Sequence, residues 1–141
     1  MRTIIRNATL VNEGACFKGH LIIEDERIAE VLSSEGISDV PCDVEIDASG
    51  MYLLPGVIDD HVHFRDPGLT HKADMESESR AAASGGVTSY MDMPNTVPQT
   101  TSLETLDAKF VVAGKESRVN YSFFFGGTNG TAQLLPSLDQ R

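Results

Sequence analysis

The sequence predicts an α/β protein, and three observations carry that reading. After residue 50, apolar runs of strand length alternate with segments of helical period; glycine and proline punctuate the junctions; and the residues best suited to chemistry sit where strands end. Before residue 50 the pattern is different, with short apolar runs separated by turns. Two regions result, 1–50 and 51–141, with the turn cluster Asp47-Ala48-Ser49-Gly50 between them.

In the first region the apolar runs are Ile4-Ile5, Thr9-Leu10-Val11, His20-Leu21-Ile22-Ile23 and Arg27 to Leu32. Asn12-Glu13-Gly14 and Glu24-Asp25-Glu26 are the turns, so a small antiparallel sheet is expected. Fifty residues of sheet bury too little to be stable without packing on something else. His20 has no acidic or histidine neighbour at useful spacing and is read as structural.

The second region opens with a strand expected to be buried, residues 53–63, broken early by Pro55-Gly56. A helix comes next over residues 73–84, rich in alanine for close packing and stopped by Gly85-Gly86. Residues 87–93 form the next strand, ended by Pro94. Thr101-Ser102-Leu103-Glu104 reads as a capping box and opens a helix that presents Leu103, Leu106, Phe110 and Val111 on one face before Gly114. Residues 119–125, ended by Gly126-Gly127, make the last strand. This alternation implies parallel strands joined by helical crossovers, because parallel neighbours need long connections. In such folds the chemistry gathers at the carboxyl ends of strands.

Composition narrows the function classes. With 141 residues, 40% apolar and 23% charged, the chain is of domain size and can bury a core. Its formal net charge of −10 argues against nucleic acid or an anionic membrane surface as the partner, and neither is expected. The acids are densest across residues 24–47, read as a solvated face. No apolar run approaches the roughly 18 residues of a membrane span, and the first residues lack the apolar segment of a secretory signal, so a soluble cytoplasmic protein is expected. Cys16 and Cys42 are too far apart for a Cys-x-x-Cys motif and are read as plain thiols.

The chemistry converges on Asp59-Asp60-His61-Val62-His63-Phe64-Arg65-Asp66-Pro67-Gly68. On a strand of side-chain period two, Asp59, His61 and His63 share a face and two imidazoles point together. Neutral imidazole is a good ligand for zinc and related ions, so His61 and His63 are the candidate metal ligands. Asp59 either orients a ligand or is a structural carboxylate. Arg65 has the same parity, although Pro67-Gly68 already turns the chain; in so acidic a protein it is the local cation that an anionic ligand needs. Met93-Pro94-Asn95-Thr96, at the end of the following strand, adds an amide donor. A guanidinium matches a carboxylate through two parallel hydrogen bonds, and an Asn amide adds a directional one, so Arg65 and Asn95 are the candidate substrate-binding pair. His71 is read as a surface loop residue, and Lys72, Lys109 and Lys115 as loop or helix residues outside the site.

The decapeptide from Asp59 to Gly68, with Met93-Pro94-Asn95-Thr96, closely resembles the signature of the dihydroorotases, zinc-dependent members of the cyclic amidohydrolases. The long bacterial form is the nearer match, since Arg65-Asp66-Pro67-Gly68 and Gly85-Gly86-Val87-Thr88 are both intact. The resemblance implies that residues 1–50 are the amino-terminal part of a small β-sandwich, and residues 51–141 the first three units of a (β/α)8 barrel of the TIM type. It implies that His61 and His63 bind one zinc of a one- or two-metal centre and that Arg65 and Asn95 hold a substrate carboxylate. The reaction implied is the reversible interconversion of carbamoyl-aspartate and dihydroorotate, a step of pyrimidine biosynthesis. A complete barrel needs roughly 200 or more residues, so the chain reads as truncated. The bridging ligand, two further histidines and the catalytic aspartate are expected beyond Arg141. No catalytic residue is therefore expected within the chain, and residues 1–141 alone are expected to be inactive. The partner is then a small anionic cyclic amide; homo-oligomerisation is left open. The alternatives are an allantoinase or dihydropyrimidinase-like hydrolase, whose rings lack the carboxylate, and a non-catalytic scaffold subunit, which would be expected to lose the two histidines.

Overall fold

The computed structural model of the protein describes residues 1–34 and 40–138; part of the expected acidic face lies outside the described residues. The chain divides into two units, Met1–Pro55 and Gly56–Arg141.

The first unit is one sheet built from β1 (Arg2–Asn12), β2 (Ala15–Glu24), β3 (Arg27–Ser33), β4 (Val44–Asp47) and β5 (Tyr52–Leu53). Its order is β3-β2-β1-β4, with β5 also on β1. The two hairpins turn where expected: Glu13 and Gly14 both have positive φ, at 49° and 77°, which suits the two-residue turn between twisted strands. Ile4-Ile5 and Thr9-Leu10-Val11 are a single strand, interrupted by a register shift between Ile5 and Ala8. Asn7 sits in that bulge at φ 62°, and its freed N–H donates to buried His20 Nδ1 at 3.2 Å. His20 is thus an acceptor for a backbone donor that the ladder cannot use. The sheet is mixed rather than antiparallel, because β4 and β5 both run parallel to β1. Leu53, expected to open the next strand, pairs with Leu10 instead, and Tyr52 before it pairs with Thr9. Pro55 and Gly56 separate them from the strand that begins at Val57. Ile4, Ala8, Leu10, Leu21, Ile22 and Ala48 are buried, while Ile28 and Val31 on β3 are exposed. Cys16 and Cys42 are both free.

The second unit alternates β6 (Val57–Val62), α1 (Met75–Ser84), β7 (Val87–Asp92), α2 (Leu103–Glu116) and β8 (Asn120–Phe123), and then makes a 3-10 turn at Leu135–Ser137. The strands are parallel, in the order β6-β7-β8. Among the described residues β6 is therefore an edge strand, and its expected burial does not hold: Ile58 is 68% exposed.

Helix α1 begins at Asp74, whose carboxylate accepts the Ser77 N–H at 2.8 Å, and ends at Gly85, with Gly86 at φ 85°. Of its alanines only Ala82 packs on the core; the buried residues are Met75 and Ser79. Helix α2 is capped by Ser102, but Thr105 rather than Glu104 closes the box. It runs through Gly114 to Glu116. The expected apolar face is also rotated: Leu103, Phe110 and Val111 are exposed, and Lys109 and Ala113 are buried, with Leu106 and Val112 partly so. Phe110 still reaches the sheet, meeting the Phe123 ring edge-on at 4.8 Å between centroids.

The core of this unit is Phe64, Met75, Tyr90, Ala113 and Phe123. Tyr90 packs on Phe64 with ring centroids 4.3 Å apart, and burial pushes its phenol up to about 12, aided by the negative charges of Asp92 and Asp66. A phenol whose folded pKa lies above its unfolded value near 10 favours folding in its protonated form. That stability is complete below pH about 10 and is lost as pH rises through about 12, by roughly 2–3 kcal/mol. Alkaline denaturation should therefore steepen between those limits, and Tyr90→Phe should remove that part of the pH dependence; an unchanged alkaline profile in the variant would contradict the assignment.

Candidate metal centre

The histidine pair lies where β6 leaves the sheet. Asp59 pairs with Tyr90 and Val62 with Asp92, so β6 carries one more residue than β7 across this interval. Such a bulge re-aims side chains. It also interrupts the simple alternation expected from Asp59 to His63. The Asp59 carboxylate accepts the His61 N–H at 3.2 Å, so it braces the backbone at His61. The rings of His61 and His63 come together with centroids 5.3 Å apart and planes at 66°.

The groups that hold this end of β6 in place are buried below it. The next residue, Phe64, donates its N–H to Asp92 Oδ1 at 2.9 Å. The other carboxylate oxygen of Asp92 is 2.7 Å from Lys109 Nζ, and both side chains are essentially inaccessible, at 1% and 0%. Lys109 also donates to the Met93 carbonyl at 3.0 Å and lies 4.8 Å from the centre of the Phe123 ring. One ammonium thus ties α2 to the end of β7, and one carboxylate ties β7 to the residue between His63 and Arg65. Neither Asp92 nor Lys109 is among the site residues expected from sequence. Lys109 is a helix residue, as expected, but its long stem carries the amine to a strand end. Its spacing from Leu106 and Ala113, three and four residues away, was the available signal. For Asp92 the signal was a single charge inside an apolar strand.

The two strand-end loops are joined as well. Met93 N–H donates to the Val62 carbonyl at 3.0 Å and Val97 N–H to the Pro67 carbonyl at 3.1 Å. Gly68, at φ 83°, lies so close to Val97 that a Cβ there would run into its carbonyl oxygen. Arg65 adopts φ 67°, a left-handed conformation that costs a non-glycine residue about 1–2 kcal/mol. Strand parity therefore ends before it. Arg65 is half-buried, and among the described residues no carboxylate lies within ion-pair distance of its guanidinium. Asn95 is drawn onto the histidine pair: its Oδ1 is 2.9 Å from His63 Nδ1. His71 is exposed in a turn, and Lys72 and Lys115 are exposed.

These residues fit part of a metal centre. Two imidazoles meet edge-on, and the contact with Asn95 engages Nδ1 of His63, leaving Nε2 for a ligand role. Among the described residues no third histidine, cysteine, aspartate or glutamate joins them in a metal-binding group. A zinc site takes three or four protein ligands. The pair is a half-set.

A family model described as dihydro-orotase-like matches residues 50–129. The dihydroorotase of Lactobacillus helveticus (strain DPC 4571) is 36% identical over 138 residues, which cover 96% of this chain and 31% of that protein. An L-hydantoinase of Paenarthrobacter aurescens is 34% identical over 128 residues, covering 90% and 28% respectively. Among solved structures, the L-hydantoinase (dihydropyrimidinase) from Arthrobacter aurescens superposes with a TM-score of 0.89 at 32% identity, covering 96% of this chain and 30% of that one. A D-hydantoinase superposes with a TM-score of 0.78 at 30% identity, covering 97% and 30%. The chain spans about 31% of the length of the curated relatives it matches.

Removing one partner of a buried ion pair strands the other charge, at a cost of about 3–5 kcal/mol, whereas replacing both by apolar groups is often close to neutral. Lys109→Met should lower the unfolding free energy by that amount in denaturant titration, and Asp92→Asn with Lys109→Met should recover part of it, because the Asn amide oxygen still accepts the Phe64 N–H and no buried charge is left. Additive losses in the double variant would show that the two side chains act independently.

Proposed function

The chain belongs to the dihydro-orotase-like family, and from that premise we propose that it supplies the metal-binding and substrate-anchoring part of a zinc-dependent cyclic amidohydrolase, a dihydroorotase. The observation that carries this reading is the adjacent pair His61 and His63 at the end of a parallel strand, followed by an Arg65 without a carboxylate partner among the described residues. The alternating parallel unit is read as the opening of a (β/α)8 barrel, whose chemistry gathers at the carboxyl ends of its strands.

In this reading His61 and His63 hold zinc, which when bound polarises the ring amide carbonyl and makes water nucleophilic near neutral pH. The chain's own residues do the rest of the work that falls to this portion. Arg65 takes the ring carboxylate of dihydroorotate with paired hydrogen bonds, and the Asn95 NH2 adds a third donor. Ring opening yields carbamoyl-aspartate, in line with a role in pyrimidine synthesis and a cytoplasmic setting. Among the described residues no further metal-binding group joins the histidine pair.

A second reading has its own support. The superposition on an L-hydantoinase is close, and a hydantoinase or dihydropyrimidinase-like enzyme, or an allantoinase, acts on a ring without that carboxylate. Arg65 discriminates between them. The intact histidine pair weighs against a non-catalytic scaffold.

The test grafts residues 1–138 in place of the matching segment of the Lactobacillus helveticus dihydroorotase. The graft should hydrolyse dihydroorotate in a zinc-dependent manner, and Arg65→Met should lower kcat/KM by ~100-fold, about 3 kcal/mol for a charged hydrogen-bonded contact. Residues 1–141 alone should show no turnover. A graft that opens uncharged hydantoin and ignores both dihydroorotate and the Arg65 substitution would favour the second reading; turnover by residues 1–141 alone would contradict the half-site account.

A further inference from the structure

Asn95 does two things that the substrate-binding role does not require together. It lies after β7 on a loop pinned by Val97 N–H to Pro67 and by Thr100 N–H to Pro94, so its amide is presented by a fixed backbone. From there Oδ1 approaches His63 Nδ1 at 2.9 Å. An amide oxygen has lone pairs and no hydrogen, so this contact is a hydrogen bond only when the proton sits on Nδ1; the other tautomer sets two lone pairs against each other. A neutral imidazole protonated at Nδ1 carries its lone pair on Nε2.

We propose that Asn95 is a positioning residue for the metal centre: its amide oxygen holds His63 as the Nδ1–H tautomer so that Nε2 is the ligand atom, and its NH2 group stays free to donate to the substrate carboxylate. The inference rests on the metal-binding reading above and adds a coupling to it. One side chain on the β7 loop orients a ligand from the β6 end with one atom and faces the substrate with the other. The metal ligand and the anion site are then linked by a single amide, and a change at Asn95 is felt by both. Partners of this kind matter to metal sites because an imidazole free to rotate or to switch tautomer spends part of its time with no lone pair directed at the ion.

Two substitutions separate the two roles. Asn95→Ala removes both atoms. Asn95→Asp keeps an oxygen acceptor for the His63 Nδ1–H and replaces the NH2 donor by a negative charge. The experiment uses the full chain at a pH where the imidazoles are neutral, with two readouts: the tautomer of His63 from long-range proton–nitrogen NMR correlations without metal, and the zinc dissociation constant by competition with a chromophoric chelator. The wild type should show His63 as the Nδ1–H form, and Asn95→Ala should lose that preference. Zinc binding should weaken by about 10–100-fold in Asn95→Ala and stay within a few-fold of wild type in Asn95→Asp. His63 found as the Nε2–H form in the wild type would overturn the proposal. So would Asn95→Ala with unchanged zinc affinity while His61→Ala weakens it. If His61→Ala and His63→Ala also leave zinc affinity unchanged, the metal reading itself fails, and the metal-free NMR signature still decides whether Asn95 sets the tautomer.

Discussion

The second unit is arranged around the buried pair of Asp92 and Lys109. A charge of either sign alone in that position would be destabilising by several kcal/mol, so each residue requires the other. The requirement has structural consequences because the three groups they touch belong to different parts of the chain, Phe64 N–H after β6, the Met93 carbonyl after β7 and the Phe123 ring on β8, while Lys109 itself stands on α2. Satisfying one carboxylate and one ammonium therefore fixes the carboxyl ends of three strands relative to a helix. The histidine pair depends on this. His61 and His63 are exposed and have little packing of their own, and His63 is directed by the backbone that Asp92 holds at the next residue.

Above that buried anchor, the site departs from regular structure at each residue that matters. β6 bulges where the histidines emerge, Arg65 takes a left-handed backbone, and Gly68 lets one loop close against another. Such departures cost free energy and persist when the surroundings over-determine them. Here the surroundings are backbone hydrogen bonds between the two strand-end loops and a well-packed aromatic cluster beneath. The arrangement brings the His61 and His63 rings together with the Asn95 amide, and sets Arg65 two residues further along the same loop.

Much of this was legible in the sequence because it is encoded locally. The alternation of strand and helix, the hairpin turns at Glu13-Gly14 and Asp25-Glu26, the stop at Gly85-Gly86 and the cap at Ser102 each depend on a few neighbouring residues. The features that the sequence hid are non-local. Nothing adjacent to Tyr52 announces that it pairs with Thr9, and the bulge in β6 depends on its register with β7. The buried face of α2 differs from the periodic one for a physical reason: hydrophobic periodicity assigns charged residues to the outside, and Lys109 is inside because Asp92 awaits it. Asn95 was legible as a polar group at a strand end. That it faces His63 is a product of the way the two loops lock together.

In the proposed reading His61 and His63 together bind one metal ion. Zinc-edge X-ray absorption of the zinc-loaded chain tests it most directly, because scattering from the outer atoms of an imidazole ring counts how many are bound. Two imidazoles are expected in the wild type, one in His63→Ala and none when His61→Ala is added. Identical spectra for the wild type and the double variant, or a first shell of oxygen alone in the wild type, would contradict it.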